Sequence, residues 1–163
     1  MSGGSSRHHS DHVSGSVGSI VGQIAKIKGC KVIGIAGGKD KCNWLTSELG
    51  FDAAVDYKDG ATYKALRAAA PKGIDVYFDN VGGDILEACI ALMNNRGRIA
   101  CCGAISQYDG VPSAHGPRGV PGLIVVKCLT MQGFIVMDYM DQRAAALADL
   151  QSWVASGKLK VQE

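Results

Sequence analysis

Glycines at Gly15, Gly18 and Gly22 punctuate the run SGSVGSIVGQ, just where an amphipathic helix begins. This spacing suits the binding of a diphosphate. Gly15 lets the backbone approach phosphate oxygens with no Cβ in the way, Gly18 permits close packing of helix on strand, and the first helical turn offers unpaired N–H groups at the positive end of its dipole. The same glycines also suit a helix start packed tightly for fold reasons alone, so the motif by itself leaves two readings. A dinucleotide site needs a strand feeding this turn. The preceding residues, His8, His9, Ser10, Asp11, His12 and Val13, do not supply a hydrophobic one.

About twenty residues further on, a site for an unphosphorylated adenosine ribose would carry an Asp or Glu. The chain has Gly37 and Gly38 there, followed by Lys39 and Lys41. With no adjacent carboxylate to repel a 2′-phosphate, the charge favours NADP over NAD. One charge-assisted contact contributes roughly 1.5–3 kcal/mol, so one or two lysines are enough for a preference on the order of tenfold to a hundredfold. The alternative is that both lysines are solvated residues at a helix start. Tyr57, just past a short strand, either borders the same phosphate or caps the sheet. Asn80, in FDNVGG, can donate and accept hydrogen bonds, which suits a ribose or nicotinamide-side contact, although Asn before Gly-Gly is also a plain turn former. Cys102, Gly103, Ala104, Ile105 and Ser106 close the next strand in the same way.

These residues must be carried by a scaffold, and the chain has the means to build one. Its 163 residues amount to one domain, with 47% apolar and 20% charged residues, enough for a packed core without disulfides or metals. The formal net charge of +2, without a long run of like charge, argues against a nucleic-acid partner. No apolar stretch approaches the ~20 residues that span a bilayer. Six cysteines occur without a CxxC pair; free cysteine in apolar segments behaves as a small hydrophobe, and a reducing, cytoplasmic setting is expected. No metal site is expected. Residues 1–12, rich in Gly, Ser and His, read as a disordered or cloning-derived leader and not as a secretory signal.

From Val17 onward, helical stripes alternate with β-rich runs, the rhythm of a parallel sheet with crossover helices. Helices are expected over 17–27, 40–49, 62–70 and 85–93, with strands over 31–36, 53–56, 74–78 (buried on most of its surface) and 98–102. Residues 103–122, rich in Gly and Pro, read as a functional loop. A strand over 129–136 and a helix carrying Ala144, Leu147, Leu150 and Val154 follow, ending at Gly157. The domain spans 13–157, and 158–163 read as the cut-off start of a returning segment. The expected fold is α/β: a Rossmann-type doubly wound parallel sheet in three layers, with its first strand missing or replaced.

The runs SGSVGSIVGQIAKIKG, VIGIAGGKDKC, LGFDAAVDYK, PKGIDVYFDNVGG, CCGAISQY and LTMQGFIV together closely resemble the zinc-independent medium-chain dehydrogenase/reductase family, in particular its NADP-dependent alkenal/one reductases of the curcumin, prostaglandin and leukotriene B4 dehydrogenase type. The resemblance covers nearly all of 14–163. It implies NADPH-dependent reduction of a carbon–carbon double bond conjugated to a carbonyl, by a protein about twice this length of which only the cofactor domain is present. By position, it makes Gly15, Val17 and Gly18 the pyrophosphate turn, and Gly37, Lys41 and Tyr57 the surroundings of the 2′-phosphate. Asn80 is placed near the nicotinamide half. Cys102, Gly103, Ile105, Ser106 and Tyr108 are placed in the loop lining nicotinamide and substrate, and Phe134, Ile135 and Val136 at the strand end beside it.

Tyr108 is the one candidate for a catalytic, substrate-side hydroxyl. The family's N-terminal GroES-like catalytic domain and its C-terminal strands are missing, so the chain alone is expected to be inactive. An enone or quinone substrate and, for the full-length protein, a homodimer paired through 129–136 are implied. Two other readings are a non-catalytic NADP-binding module and a quinone-reductase-type domain with RNA binding.

Overall fold

The computed structural model describes residues 16–107 and 117–161. Helix and strand alternate through α1 (Ser16–Ile27), β1 (Ile33–Ala36), α2 (Lys39–Ser47), β2 (Ala53–Asp56), α3 (Thr62–Ala69) and β3 (Ile74–Asp79). The chain continues with α4 (Gly83–Leu92), β4 (Met93–Cys101), α5 (Val120–Lys127), β5 (Thr130–Gly133) and α6 (Arg143–Ala155). Helix ends fall where the sequence offers a left-handed residue. At Gly29 (φ +83°) the chain leaves α1 while the Cys30 N–H reaches back to the Ala25 carbonyl at 2.9 Å, closing the last turn. Gly50 (φ +69°) does the same for the segment after α2.

All strand pairs are parallel, as β1-β2 in one sheet and β3-β4-β5 in another. Alternation along the first strand sorts the helices into two outer layers. Val32 and Ala36 pack with Leu45, Leu49 and Phe51 and with Ala25 of α1, whereas Ile33 and Ile35 pack with Leu66 of α3 and Ile85, Ala88 and Cys89 of α4. So α1 and α2 cover one face, and α3 and α4 the other. A third cluster, of Leu86, Ile90, Met93, Ile99 and Leu129, is joined by Leu123 and Ile124 of α5. Because α2 and α3 lie on opposite faces and such crossovers are right-handed, β3 falls on the side of β1 away from β2. The strand order therefore reverses between β1 and β3. Among the described residues no strand pairs with either of these facing edges. The two sheets are joined through the shared cluster of Val55, Leu66, Ile85 and Cys89, to which Ile35 and Tyr77 also pack. The α/β, doubly wound expectation holds, while the residues ahead of α1, where a first strand was expected to be missing or replaced, lie outside the described residues.

Several local expectations need correction. β3 is not buried on most of its surface: Asp75 is exposed and Val76 is 56% exposed, since one edge of the strand has no described partner. β4 starts at Met93, not at 98, because Met93 pairs with Ile74 before a register shift resumes the ladder at Val76 and Arg98. The interruption spans Asn94–Gly97, with Arg96 at φ +63°. The segment expected as an extended loop to 122 contains the start of α5. Gly119 takes a left-handed conformation before it and Pro121 sits in its first turn, where the missing N–H costs nothing. β5 ends at Gly133, not 136, and a 3₁₀ segment, Val136–Gln142, follows. Cys30 and Cys128 are exposed, so the description of cysteine as a buried hydrophobe fits Cys89 but not these two. The described part of the tail forms no strand, although Leu159 is buried and Gln23 exchanges hydrogen bonds with the Lys160 backbone at 2.7 and 3.0 Å. No helix among the described residues is long and apolar enough to cross a membrane.

Candidate functional site

In an open parallel sheet, ligands bind beyond the carboxyl ends of the strands, at the point where strand order reverses. The described candidate residues stand at the carboxyl ends of these strands in three groups. The first is the start of α1, which runs back toward the beginning of β1 and so has its N-terminus at the carboxyl edge. Val17 is 47% exposed and Gly18 is half-buried in that first turn. Gly15 lies outside the described residues.

The second group follows β1 and β2. Gly37 is buried, and a Cβ built on it would stand 2.9 Å from Tyr57 Oη and Cε1 and from Lys58 Cε. Glycine is therefore what lets the Tyr57 and Lys58 side chains lie across this turn. The Asp56 carboxylate at the end of β2 accepts the N–H groups of Gly38 and Lys58, each at 2.9 Å. These two backbone hydrogen bonds, the Gly38 one foremost, hold the Asp56 carboxyl below its usual range. Lys39 is exposed at the start of α2 and Lys41 is half-buried in its first turn. Two carboxylates lie near this turn that the sequence reading did not count: Asp40, between the two lysines in the first turn of α2, and, from the neighbouring strand, Asp56. Its Oδ1 is occupied by backbone N–H groups, and Lys58 joins the surrounding cations. Burial, then Asp56, raises the thiol pKa of Cys42, whose Sγ lies 4.0 Å from the Ala36 carbonyl.

The third group joins the ends of β3, β4 and β5. Asp79 is 2% exposed, and its Oδ1 accepts hydrogen bonds from Tyr77 Oη (3.0 Å), the Val81 N–H (3.1 Å) and the Gly82 N–H (3.0 Å). Its backbone carbonyl accepts the N–H groups of Cys102 (2.7 Å) and Gly103 (3.3 Å). Two further bonds run from the Ile105 N–H to the Asn80 carbonyl (3.2 Å) and from the Ser106 N–H to the Val81 carbonyl (3.0 Å). The Ser106 hydroxyl donates to that same Val81 oxygen. Asn80, Cys102, Gly103, Ile105 and Ser106 are thereby brought together. The turn at Asn80 is organised by the Asp79 side chain and not by that of Asn80.

At β5, the Phe134 N–H donates to the Cys101 carbonyl at 3.2 Å. The Phe134 ring packs between Phe78 and Tyr139, with both centroid separations 6.2 Å. Ile135 and Val136 are largely exposed. Tyr108 lies outside the described residues. Burial raises the thiol pKa of Cys89 to about 12 and also raises the Tyr77 phenol; burial, then Asp79, raises Cys101. None of these is a thiolate or phenolate nucleophile near neutral pH. Among the described residues no group of three or more His, Cys, Asp or Glu side chains could hold a metal ion.

Sequence reasoning missed Asp56, Lys58 and Asp79. Asp56 accepts from the N–H two residues ahead, and Asp79 from those two and three ahead. This Asx-turn habit was the available signal for both.

Residues 16–152 match the zinc-binding dehydrogenase family. Prostaglandin reductase 1 of Rattus norvegicus is 49% identical over 152 residues, covering 91% of this chain and 45% of that protein. The NADPH-dependent curcumin reductase of Escherichia coli is 39% identical over 153 residues, covering 91% and 44%. A crystal structure of CurA from Vibrio vulnificus in complex with NADPH superposes with a TM-score of 0.86 at 41% identity, covering 93% of this chain and 46% of that one. The chain thus spans a little under half the length of these relatives. With the family model matching most of the chain, and prostaglandin and curcumin reductases among its relatives, the chain belongs to the zinc-binding dehydrogenase family, on its zinc-independent medium-chain reductase branch.

Proposed function

We propose that this chain is the cofactor-binding part of an NADPH-dependent oxidoreductase that reduces the carbon–carbon double bond of α,β-unsaturated ketones or aldehydes. The observation that carries the reading is the assembly of two unlike half-sites on either side of the strand reversal. One is a glycine turn with Lys39, Lys41, Tyr57 and Lys58 beside it; the other is the uncharged surface of Asn80, Cys102, Gly103, Ile105, Ser106 and Phe134. An adenosine bearing a 2′-phosphate suits the first, and a nicotinamide ring suits the second. The prostaglandin reductase and NADPH-dependent curcumin reductase among the relatives and the CurA complex with NADPH point the same way.

In this reading the first turn of α1, with Val17 and Gly18, receives the pyrophosphate on backbone N–H groups together with Gly15, the residue before it in sequence. Gly37 keeps the turn open. Lys41 and Tyr57 meet the 2′-phosphate, with Lys58 adding charge. Asn80 and the 102–106 loop orient the nicotinamide end, and Phe134, Ile135 and Val136 shield one side of it from water. When bound, the reduced nicotinamide supplies the hydride to the β-carbon of the enone, and the protein's part is to position it. Tyr108 is the substrate-side hydroxyl of this proposal.

The substrate's other wall would come from a GroES-like domain of the same protein, which would work in the cytoplasm. β5 is hydrogen-bonded only to β4 among the described strands and is exposed at every residue, which suits pairing with a second copy. The test is to mix the protein with NADPH and a simple aryl enone and analyse products. The expected outcome for the full-length protein is the saturated ketone, formed one for one with NADPH consumed, while the 163-residue chain binds NADPH without turnover. No NADPH binding by either form overturns the reading.

A further inference from the structure

We propose that Asp79 is a positioning residue that makes the 80–83 turn and the 102–106 loop a single rigid wall for the nicotinamide half of the cofactor. The inference rests on the functional reading above and assigns a role that the reading itself does not contain. Asp79 takes hydrogen bonds from both loops through two different parts of itself. Its carboxylate takes the Val81 and Gly82 N–H groups, and its backbone carbonyl takes those of Cys102 and Gly103. Tyr77 fixes the carboxylate from below with its hydroxyl at 3.0 Å, and Tyr77 is itself packed into the central cluster. At 2% exposure water does not compete for these bonds, so each is stronger and its loss more costly than on the surface.

The second tier of contacts, Ile105 to Asn80 and Ser106 to Val81, depends on the first. If the Val81–Gly82 backbone swings away from Asp79, the carbonyls of Asn80 and Val81 leave the positions where the second loop finds them. A shift of either loop is therefore transmitted to the other. Packing limits the alternatives: a Cβ on Gly82 or Gly83 would come within 3.3 Å of the Ser106 hydroxyl. The adenosine half-site, held by Asp56 at the ends of β1 and β2, shares none of these bonds.

The test compares two probes, NADPH and 2′,5′-ADP, which share the adenosine half, by calorimetric titration. Asp79→Ala is expected to weaken NADPH binding about tenfold and to abolish the blue shift of nicotinamide fluorescence on binding, with 2′,5′-ADP affinity within about twofold of the wild type. Asp79→Asn, whose side-chain oxygen can still accept the two backbone N–H groups, is expected to restore most of the loss. Should Asp79→Ala not fold, the exposed Ser106→Ala variant carries the test and is expected to weaken NADPH about threefold while sparing 2′,5′-ADP. Equal weakening of both probes, or no change in either, overturns the proposal. Failure of the wild type to bind either probe would instead overturn the functional reading and this inference with it.

Discussion

The carboxylate of Asp56 holds the N–H of Gly38 at 2.9 Å, so the turn that ends β1 is fixed by the strand beside it. Asp56→Ala is expected to release that turn and weaken 2′,5′-ADP binding about fivefold to tenfold, measured by titration calorimetry. Because the folded-state pKa of Asp56 is depressed, the support it gives is complete above the ordinary carboxylate pKa of about 3.9. It is lost as pH falls through the lower folded value. The Gly38 amide proton shift, followed by NMR down an acid series without ligand, should therefore hold past the pH at which an unperturbed carboxylate would be half-protonated.

Gly37→Ala tests the close approach of Tyr57. The added methyl meets Tyr57 and Lys58 at 2.9 Å, and Tyr57 is held by the core cluster it packs against. Affinity for 2′,5′-ADP is expected to fall about tenfold, with a melting shift of no more than about 4 °C, corresponding to about 1 kcal/mol in a domain of this size.

Leu66, 1% exposed, lies in the cluster shared by the two sheets. Leu66→Ala should cost about 2–5 kcal/mol. Amides of β1 and β3 are expected to lose exchange protection together. Separate loss would show that the sheets are not joined through this cluster.

Asp52 accepts the Val32 N–H at 2.6 Å and pairs with Lys26 at 2.9 Å. The Val32 bond first, and then Lys26, lower its pKa. Its contribution is present above the unfolded pKa and disappears as pH falls through the folded one. Asp52→Asn should lower stability by under about 1 kcal/mol, since the ion pair is partly exposed. The acid limb of the urea midpoint against pH should flatten.

Much of this was legible in the residues. Gly29 and Gly50 mark helix ends because only a left-handed residue closes those turns, and Val32, Gly34 and Ala36 alternate with Ile33 and Ile35 as a two-faced strand must. The glycine pair at 37–38 and the Asn80 turn stand at strand ends as expected. What was not legible depends on neighbours distant in sequence. Asp56 supports Gly38 across 18 positions, and Asp79 reaches Cys102 only after β4 has returned beside β3. Met93 looks like the last residue of a helical stripe until Ile74 pairs with it. Pro121 looks like a breaker until it is seen in a first helical turn.

The central claim, that the turn after β1 receives a 2′-phosphorylated adenosine, is tested most directly by titrating NADP and NAD against the wild type and against Lys41→Ala. The wild type is expected to prefer NADP on the order of tenfold to a hundredfold, and the variant to lose most of that preference through weaker NADP binding alone. A wild type that binds the two equally, or a preference unchanged by the substitution, would contradict the account.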